Sequence, residues 1–263
     1  MPVDTVATTL RIAEASSTAE VWEAATRYFA GLGFSHVNYG FTRFRSTKSM
    51  GDPDDALFLT TADAAYAQRY FLNGFYAKTP AYRWAQTHDG ACTWTWVREA
   101  MQAGQLSAEE AQTVRLNVAA GITAGITISF PASSSRSKGA MGLIADGGLD
   151  HVAVDRIFAE QGPNLLVVAH MMHLKIIQFP MTGRKCSLTS RQREALEWVA
   201  DGKTSQDIAL LMEVSAAMVE KHLRLARVAL DVGTTAQAVA KASLMNLIFP
   251  TVTATQDFGK AAR

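Results

Sequence analysis

Gly202-Lys203-Thr204-Ser205-Gln206-Asp207-Ile208-Ala209-Leu210-Leu211-Met212-Glu213-Val214-Ser215 leads directly into Ala216 to Leu230, and the fold of the C-terminal region turns on this stretch. Gly202 ends one helix, and Thr204 is placed to cap the next, with Asp207 in the first turn where the helix dipole favours an anion. Met212-Glu213-Val214 makes a turn, and Ser215 caps a third helix. In that helix Val219, Leu223, Ala226 and Leu230 fall at i, i+4, i+7 and i+11, one buried stripe. Glu220, Lys221, Arg224 and Arg227 occupy the rest of its surface. Just upstream Thr189 stands three residues before Gln192, a capping-box spacing, and Leu196, Val199 and Ala200 give that first helix its apolar stripe. Two helices joined by a tight turn, the second amphipathic with cations outward, fit a helix-turn-helix whose second member enters a DNA major groove. A three-helix packing module with an ordinary solvated charged face fits the same periodicity.

Moving outward, Phe179-Pro180-Met181-Thr182-Gly183-Arg184-Lys185 has the proline, glycine and charge of an interdomain linker. The expected division is a domain over 1–178, a linker over 179–186, an all-α four-helix domain over 187–250, and a tail over 251–263. Within the first domain, Ser17 and Glu20 have capping-box spacing ahead of a helix closed by Gly33. Phe34 to Phe44 carries Val37, Tyr39 and Phe41 in period two, a strand. Gly51 to Asp55 reads as a polar turn, Asp63 to Gly74 as a short helix, and the chain through Pro80 as a loop. Thr93 to Val97 reads as a strand, Ser107-Ala108-Glu109-Glu110 as a second capping box before a helix ending near Gly121, and Ile122–Phe130 with Gly139–Ala145 as a hairpin. Asp150 to Gln178 is helical in pattern, with Gly162-Pro163 expected to kink or split it. The fold class is α+β: an α/β/α sandwich with an antiparallel sheet, followed by the helical domain.

Composition narrows the function. The chain has 263 residues, 48% hydrophobic and 19% charged, enough to bury a core, and its net charge of +1 leaves any nucleic-acid footprint local. Two cysteines without metal-ligand spacing argue against a zinc site and a disulfide framework, and for a reducing compartment. The N-terminus has no signal-peptide pattern, and the most apolar stretch, Leu165 to Ile177, is interrupted by His170, His173 and Lys175. A cytoplasmic protein without membrane attachment is expected.

The literal residues carry a resemblance. Leu188-Thr189 with Arg191, Gly202-Lys203-Thr204, Asp207-Ile208-Ala209, Val219-Glu220-Lys221-His222-Leu223 and Ala236-Gln237-Ala238-Val239 occur in the order and spacing of LuxR-type DNA-binding domains. The resemblance implies Lys203 and Thr204 at the phosphate backbone, and Glu220, Lys221 and Arg224 toward the groove, with Arg227 a further DNA-facing candidate. It also implies a double-stranded operator, a homodimer, and a last helix, about Thr235 to Leu244, that serves as a dimer contact. Glu220 stands where a cation is frequent; a carboxylate accepts from cytosine N4 but is repelled by phosphate.

The N-terminal region resembles the autoinducer-binding domain of quorum-sensing LuxR-type regulators, through Tyr70, Pro80, Trp94 and Gly125 and the intervals among them. That resemblance implies a pocket for an N-acyl homoserine lactone between sheet and helices, with no cofactor and no catalytic role. Tyr66 and Tyr70, one turn apart, are expected to direct both hydroxyls into one cavity. Trp94 and Trp96 alternate, so one of them should face it. Phe71, Thr79, Tyr82 and Ile122 are further candidates for its wall. Tyr66 stands where the family has tryptophan, Thr79 where it has aspartate, and Ala145 where serine or threonine is frequent, so the expected signal is an acyl homoserine lactone bound through an altered head-group network, or a related small amphiphile. An aromatic core without ligand fits the same residues, as does a ligand-independent regulator working by constitutive dimerisation or heterodimerisation. His88, Asp89 and Cys92 stand close in sequence, but no G-x-S-x-G, metal-ligand spacing or phosphate loop accompanies them, so no enzyme is expected.

Overall fold

The computed structural model describes residues 4–45, 52–132, 134–181 and 187–250. Residues 182–186 of the expected linker and the whole expected tail, 251–263, lie outside the described residues. The chain divides into two compact units, Met1–Ile176 and Ile177–Arg263.

The first unit opens with α1 (Thr5–Glu14), capped by Asp4, and α2 (Thr18–Gly31), capped by Ser17. The Ser17 box is half made: its hydroxyl accepts from the Glu20 amide, but the Glu20 carboxylate accepts from Ser16 N–H at 2.8 Å instead of closing back on Ser17. Then come β1 (His36–Thr42), β2 (Leu57–Thr60), α3 (Ala64–Ala67) running into a wide π turn at Gln68–Leu72, α4 (Pro80–Thr87), β3 (Gly90–Thr93), α5 (Thr95–Gln102) and α6 (Ala108–Ala119). β4 (Gly125–Phe130), β5 (Lys138–Ile144) and α7 (His151–Ile176) complete it. The five strands form one antiparallel sheet in the order β2-β1-β5-β4-β3.

Several elements correct the sequence reading. The expected loop through Pro80 is helix α4: Thr79 caps it by accepting from Tyr82 N–H, and Pro80 takes the first helical position, where its missing N–H costs nothing. The expected strand Thr93–Val97 ends at Thr93, because Trp94 turns out of the sheet and starts α5. Gly121 (φ +79°) closes α6 and Ile122 N–H bonds Asn117 O, so β4 begins at Gly125, not Ile122. Pro163 does not split α7, which stays one helix of 26 residues. Its buried stripe, Val154, Leu165, Val168, Ala169, Met172 and Ile176, offsets the loss of one backbone hydrogen bond.

The sheet has two unlike faces. Strand alternation in Gly125-Ile126-Thr127-Ile128-Ser129-Phe130 puts every large residue on one side, and β1 and β5 add Val37, Tyr39, Phe41, Met141 and Leu143 to it, all buried. α2 and α7 cover this side: Trp22 and His173 both meet the Tyr39 ring. The opposite side carries Asn38, Gly40, Thr42, Thr127, Ser129, Ala140 and Gly142. These are small or polar, and α4 approaches them where Ser129 Oγ donates to Ala85 O.

Among its described residues the second unit holds four helices: α8 (Ser190–Ala200), α9 (Ser205–Leu211), α10 (Ala216–Ala229) and α11 (Thr235–Leu244). Capping boxes close at Thr189/Gln192, Thr204/Asp207 and Thr234/Gln237, and Ser215 caps α10. Val219, Leu223, Ala226 and Leu230 are buried, as their spacing predicts. Phe179 and Met181 are also buried, and Met181 N–H donates to Met245 O at 2.8 Å.

Candidate functional site

The small side chains on the second face of the sheet leave space under the π turn and α4. A cavity of about 100 Å³ opens there, floored by Asn38, Gly40, Thr127, Ala140 and Gly142 and walled by Phe58, Tyr70, Phe71, Tyr76, Thr79, Tyr82 and Trp94. A second cavity, of about 320 Å³, shares Tyr70, Thr79, Ala81 and Trp94 with the first and extends along α5 and α6 to Val97, Met101, Val114, Val118 and Ile122. Mostly apolar walls with a few placed polar groups are the make-up of a small-molecule site. Tyr70, Phe71, Thr79, Tyr82 and Trp94 thus line the first cavity, and Ile122 the second. Gly125 keeps Trp94 in place: a Cβ there would run into the Leu143 carbonyl and lie 3.0 Å from the indole Cζ3.

Tyr66 is the exception among the sequence candidates. Its ring stacks on Tyr70 at 5.2 Å between centroids, yet it lines a separate polar cleft together with Asn38, Arg69, Ile122 and Ala145. Its hydroxyl accepts from Asn38 Nδ2 at 2.8 Å, and Asn38 Oδ1 in turn accepts from Thr60 Oγ1 at 2.7 Å. The Tyr70 hydroxyl has no hydrogen-bond partner among the described residues. Burial, and then the neighbouring Tyr66 and Tyr76 phenols, push its pKa well above the ordinary value, so it remains a neutral donor. Two other polar groups are already engaged within the protein. Trp94 Nε1 donates to Thr127 Oγ1 at 2.8 Å, and Thr79 Oγ1 donates to Tyr76 O at 2.8 Å while accepting from Tyr82 N–H. Trp96, expected to alternate with Trp94 on a strand, lies on α5 and donates to Cys92 Sγ at 3.3 Å.

No hydrolytic constellation forms around His88, Asp89 and Cys92. The His88 ring stacks on Trp84, Asp89 pairs with Lys138 Nζ at 2.8 Å, and burial pushes the Cys92 thiol up to about 11, away from thiolate reactivity. No group of residues able to hold a metal, and no helix long and apolar enough to cross a membrane, occurs among the described residues.

In the second unit, α10 turns Lys221 and Arg224 to solvent, opposite the buried stripe, with Ala217 and Val228 on the same line. Glu220 and Arg227 lie on its flank and are tied to their own domain: Ser205 Oγ donates to Glu220 Oε1 at 2.6 Å, and Arg227 Nη1 donates to Thr235 Oγ1 at 2.8 Å. Lys203 and Thr204 are exposed at the start of α9, where Thr204 Oγ1 donates to Asp207 Oδ2 at 2.7 Å.

Residues 17–176 match the autoinducer binding domain, and residues 186–230 match sigma-70 region 4, a helix-turn-helix. The chain belongs to the LuxR-type quorum-sensing regulators. This regulator is 23% identical over 233 residues to the transcriptional activator protein AnoR of Acinetobacter nosocomialis, covering 87% of this chain and 92% of that one. RpaR of Rhodopseudomonas palustris, an HTH-type quorum sensing-dependent transcriptional regulator, is 35% identical over 82 residues, 31% of this chain and 33% of the relative. The crystal structure of Escherichia coli SdiA covers 93% of this chain and 97% of its own at 17% identity, with a TM-score of 0.47. Sequence reasoning missed Asn38, Thr127 and Gly142 in the cavity floor of this LuxR-type chain; the alternation of large with small residues along β1, β4 and β5 was the signal for them.

Proposed function

We propose that the chain is a ligand-responsive transcriptional regulator that takes an acyl homoserine lactone, or a related small amphiphile, in the cavity between sheet and helices. The observation that carries this reading is the split of the sheet, whose second face gives up side-chain volume at Ala140 and Gly142 where a packed core would fill it. Tyr70 supplies a neutral hydroxyl donor for a ligand carbonyl. Thr79 keeps one acceptor lone pair for a ligand amide, a weaker contact than the family's carboxylate. With Tyr66 turned to Asn38, the head group relies on fewer contacts. In this reading the regulator acts in the cytoplasm as a homodimer, its two α10 helices meeting half-sites about one turn of DNA apart. Lys203 and Thr204 contact phosphate, while Lys221 and Arg224 enter the groove. Ligand binding favours the DNA-competent arrangement only through differential affinity for it.

One observation favours a second reading, ligand-independent regulation: Trp94, Thr79, Tyr66 and Asn38 hold partners inside the protein, so those groups need no ligand to satisfy them. Gly142→Val separates the two. A Cβ at Gly142 meets nothing within 4 Å, so the variant is expected to fold normally while its side chain occupies the cavity. Calorimetric titration with acyl homoserine lactones of graded length is expected to show binding by the natural chain and at least about tenfold loss in the variant. Absence of binding at every length, with operator binding intact, would establish the ligand-independent reading.

A further inference from the structure

The second cavity is the larger of the two, and its chemistry differs from that of the first. Beside its apolar wall stand Arg98, Gln102, Asn117 and His151, four side chains that donate hydrogen bonds, and no carboxylate lines it among the described residues. Arg98 and Gln102 are one turn apart on α5, so they share a face. Arg98 is half-buried and forms no ion pair with a described residue. His151, at the start of α7, lies within Coulombic range of Arg98; burial and then that guanidinium hold its imidazole below the usual value, so it is a neutral donor rather than a second cation. The acids facing His151 are Asp155 and Asp150. Neither lines the cavity: Asp155 accepts from Thr95 Oγ1 at 2.8 Å, and Asp150 caps the Ala153 amide at 2.9 Å. The lining therefore presents one permanent cation, already partly withdrawn from water by the fold, beside neutral donors. A methyl-terminated chain in this space would take further water from the guanidinium and return no hydrogen bond. A carboxylate would meet the planar donor fork of arginine in its preferred bidentate geometry.

We propose that the second cavity receives the distal end of the signal and that this end is anionic, an acyl chain or ring terminating in a carboxylate that pairs with Arg98. The inference rests on the proposed acyl-ligand reading of the first cavity and adds the class of signal to it.

The test uses the full-length protein and two probes of equal chain length, N-octanoyl homoserine lactone and its ω-carboxy counterpart, titrated calorimetrically into the natural chain, Arg98→Met and Arg98→Lys. Thermal melts confirm that each variant folds. The natural chain is expected to bind the ω-carboxy probe at least about tenfold more tightly than the octanoyl probe, the scale of one charge-assisted hydrogen bond. Arg98→Met is expected to erase that preference by weakening the ω-carboxy probe and tightening the octanoyl one, and Arg98→Lys to retain part of it. Preference for the octanoyl probe in the natural chain, or a carboxylate preference that survives Arg98→Met, overturns the proposal and leaves the acyl-ligand reading standing. Failure of both probes to bind, together with acyl homoserine lactones of every other length, overturns the two together.

Discussion

The two units differ in the reach of the polar contacts around their candidate sites, although Asn246 Nδ2 also spans the C-terminal unit to Ile177 O at 2.9 Å. In the C-terminal unit the helix starts are closed over three residues: Thr189 with Gln192, Thr204 with Asp207, Ser215 with Met218, Thr234 with Gln237. In the N-terminal unit the structuring contacts span the fold: Asn38 to Tyr66, Trp94 to Thr127, Tyr39 to His173. The local unit caps its own helix starts and leaves Lys221 and Arg224 exposed on α10. The non-local unit ties one wall of its cavity, Trp94, to β4 through Thr127. A surface that reads DNA needs only a rigid helix to carry it, whereas an interior site needs every wall fixed from behind.

Experiments can attack that contrast, beginning with the most severe. Gly125→Ala, which drives a Cβ into the Leu143 carbonyl and the Trp94 ring, is expected to destabilise the first unit by about 3 kcal/mol or more. Urea unfolding should show the second unit's transition unmoved, and a shift of both would deny that the units are independent. Arg224→Ala is expected to weaken specific operator binding by about 1–3 kcal/mol. Arg227→Ala should leave operator affinity nearly unchanged and remove about 1 kcal/mol of stability, because its guanidinium bonds Thr235. Equal losses of DNA affinity in both variants would place Arg227 in the interface after all.

The buried His173 supplies a pH test. Burial, then His170 and Arg43, lower it from 6.5 to about 4. Between those values the unfolded chain takes up a proton that the folded unit refuses, so the contribution of His173 to stability is present above pH 6.5 and lost as pH falls. The first unit should lose about 2 kcal/mol between pH 6.5 and 5. Urea midpoints for that unit that stay level across the interval would contradict the burial of a neutral imidazole beside Tyr39. The mildest change is Thr234→Ala, which removes one cap of α11 and is expected to cost about 1 kcal/mol, confined to the second unit's melt.

The same contrast explains what the sequence disclosed. Caps, the stop at Gly202 and the α10 stripe are written within a few residues of one another, so the helical unit was legible almost element by element. In the first unit the hairpin β4–β5, the helix α6 and the long helix α7 were legible for the same reason. Two signals were present and misjudged: Thr79-Pro80 is a cap followed by a first-turn proline, and Trp94/Trp96 imitates strand alternation although Trp94 begins a helix. Helix α1 and the short strand β2 went unread. Tyr66 illustrates the remaining limit. Spacing places it on the Tyr70 face, and the rings do stack, but its hydroxyl is claimed by Asn38, 28 residues away, and no local pattern encodes that pairing. Arg98, Asn117 and His151 come together for the same non-local reason.

In the proposed function the small-residue face of the sheet holds a signal molecule. The direct measurement is to purify the full chain from its native host at high cell density, extract it with organic solvent and search the extract by mass spectrometry. A stoichiometric acyl homoserine lactone or related amphiphile is the expected result. A protein that arrives folded, binds its operator and releases no small molecule contradicts it.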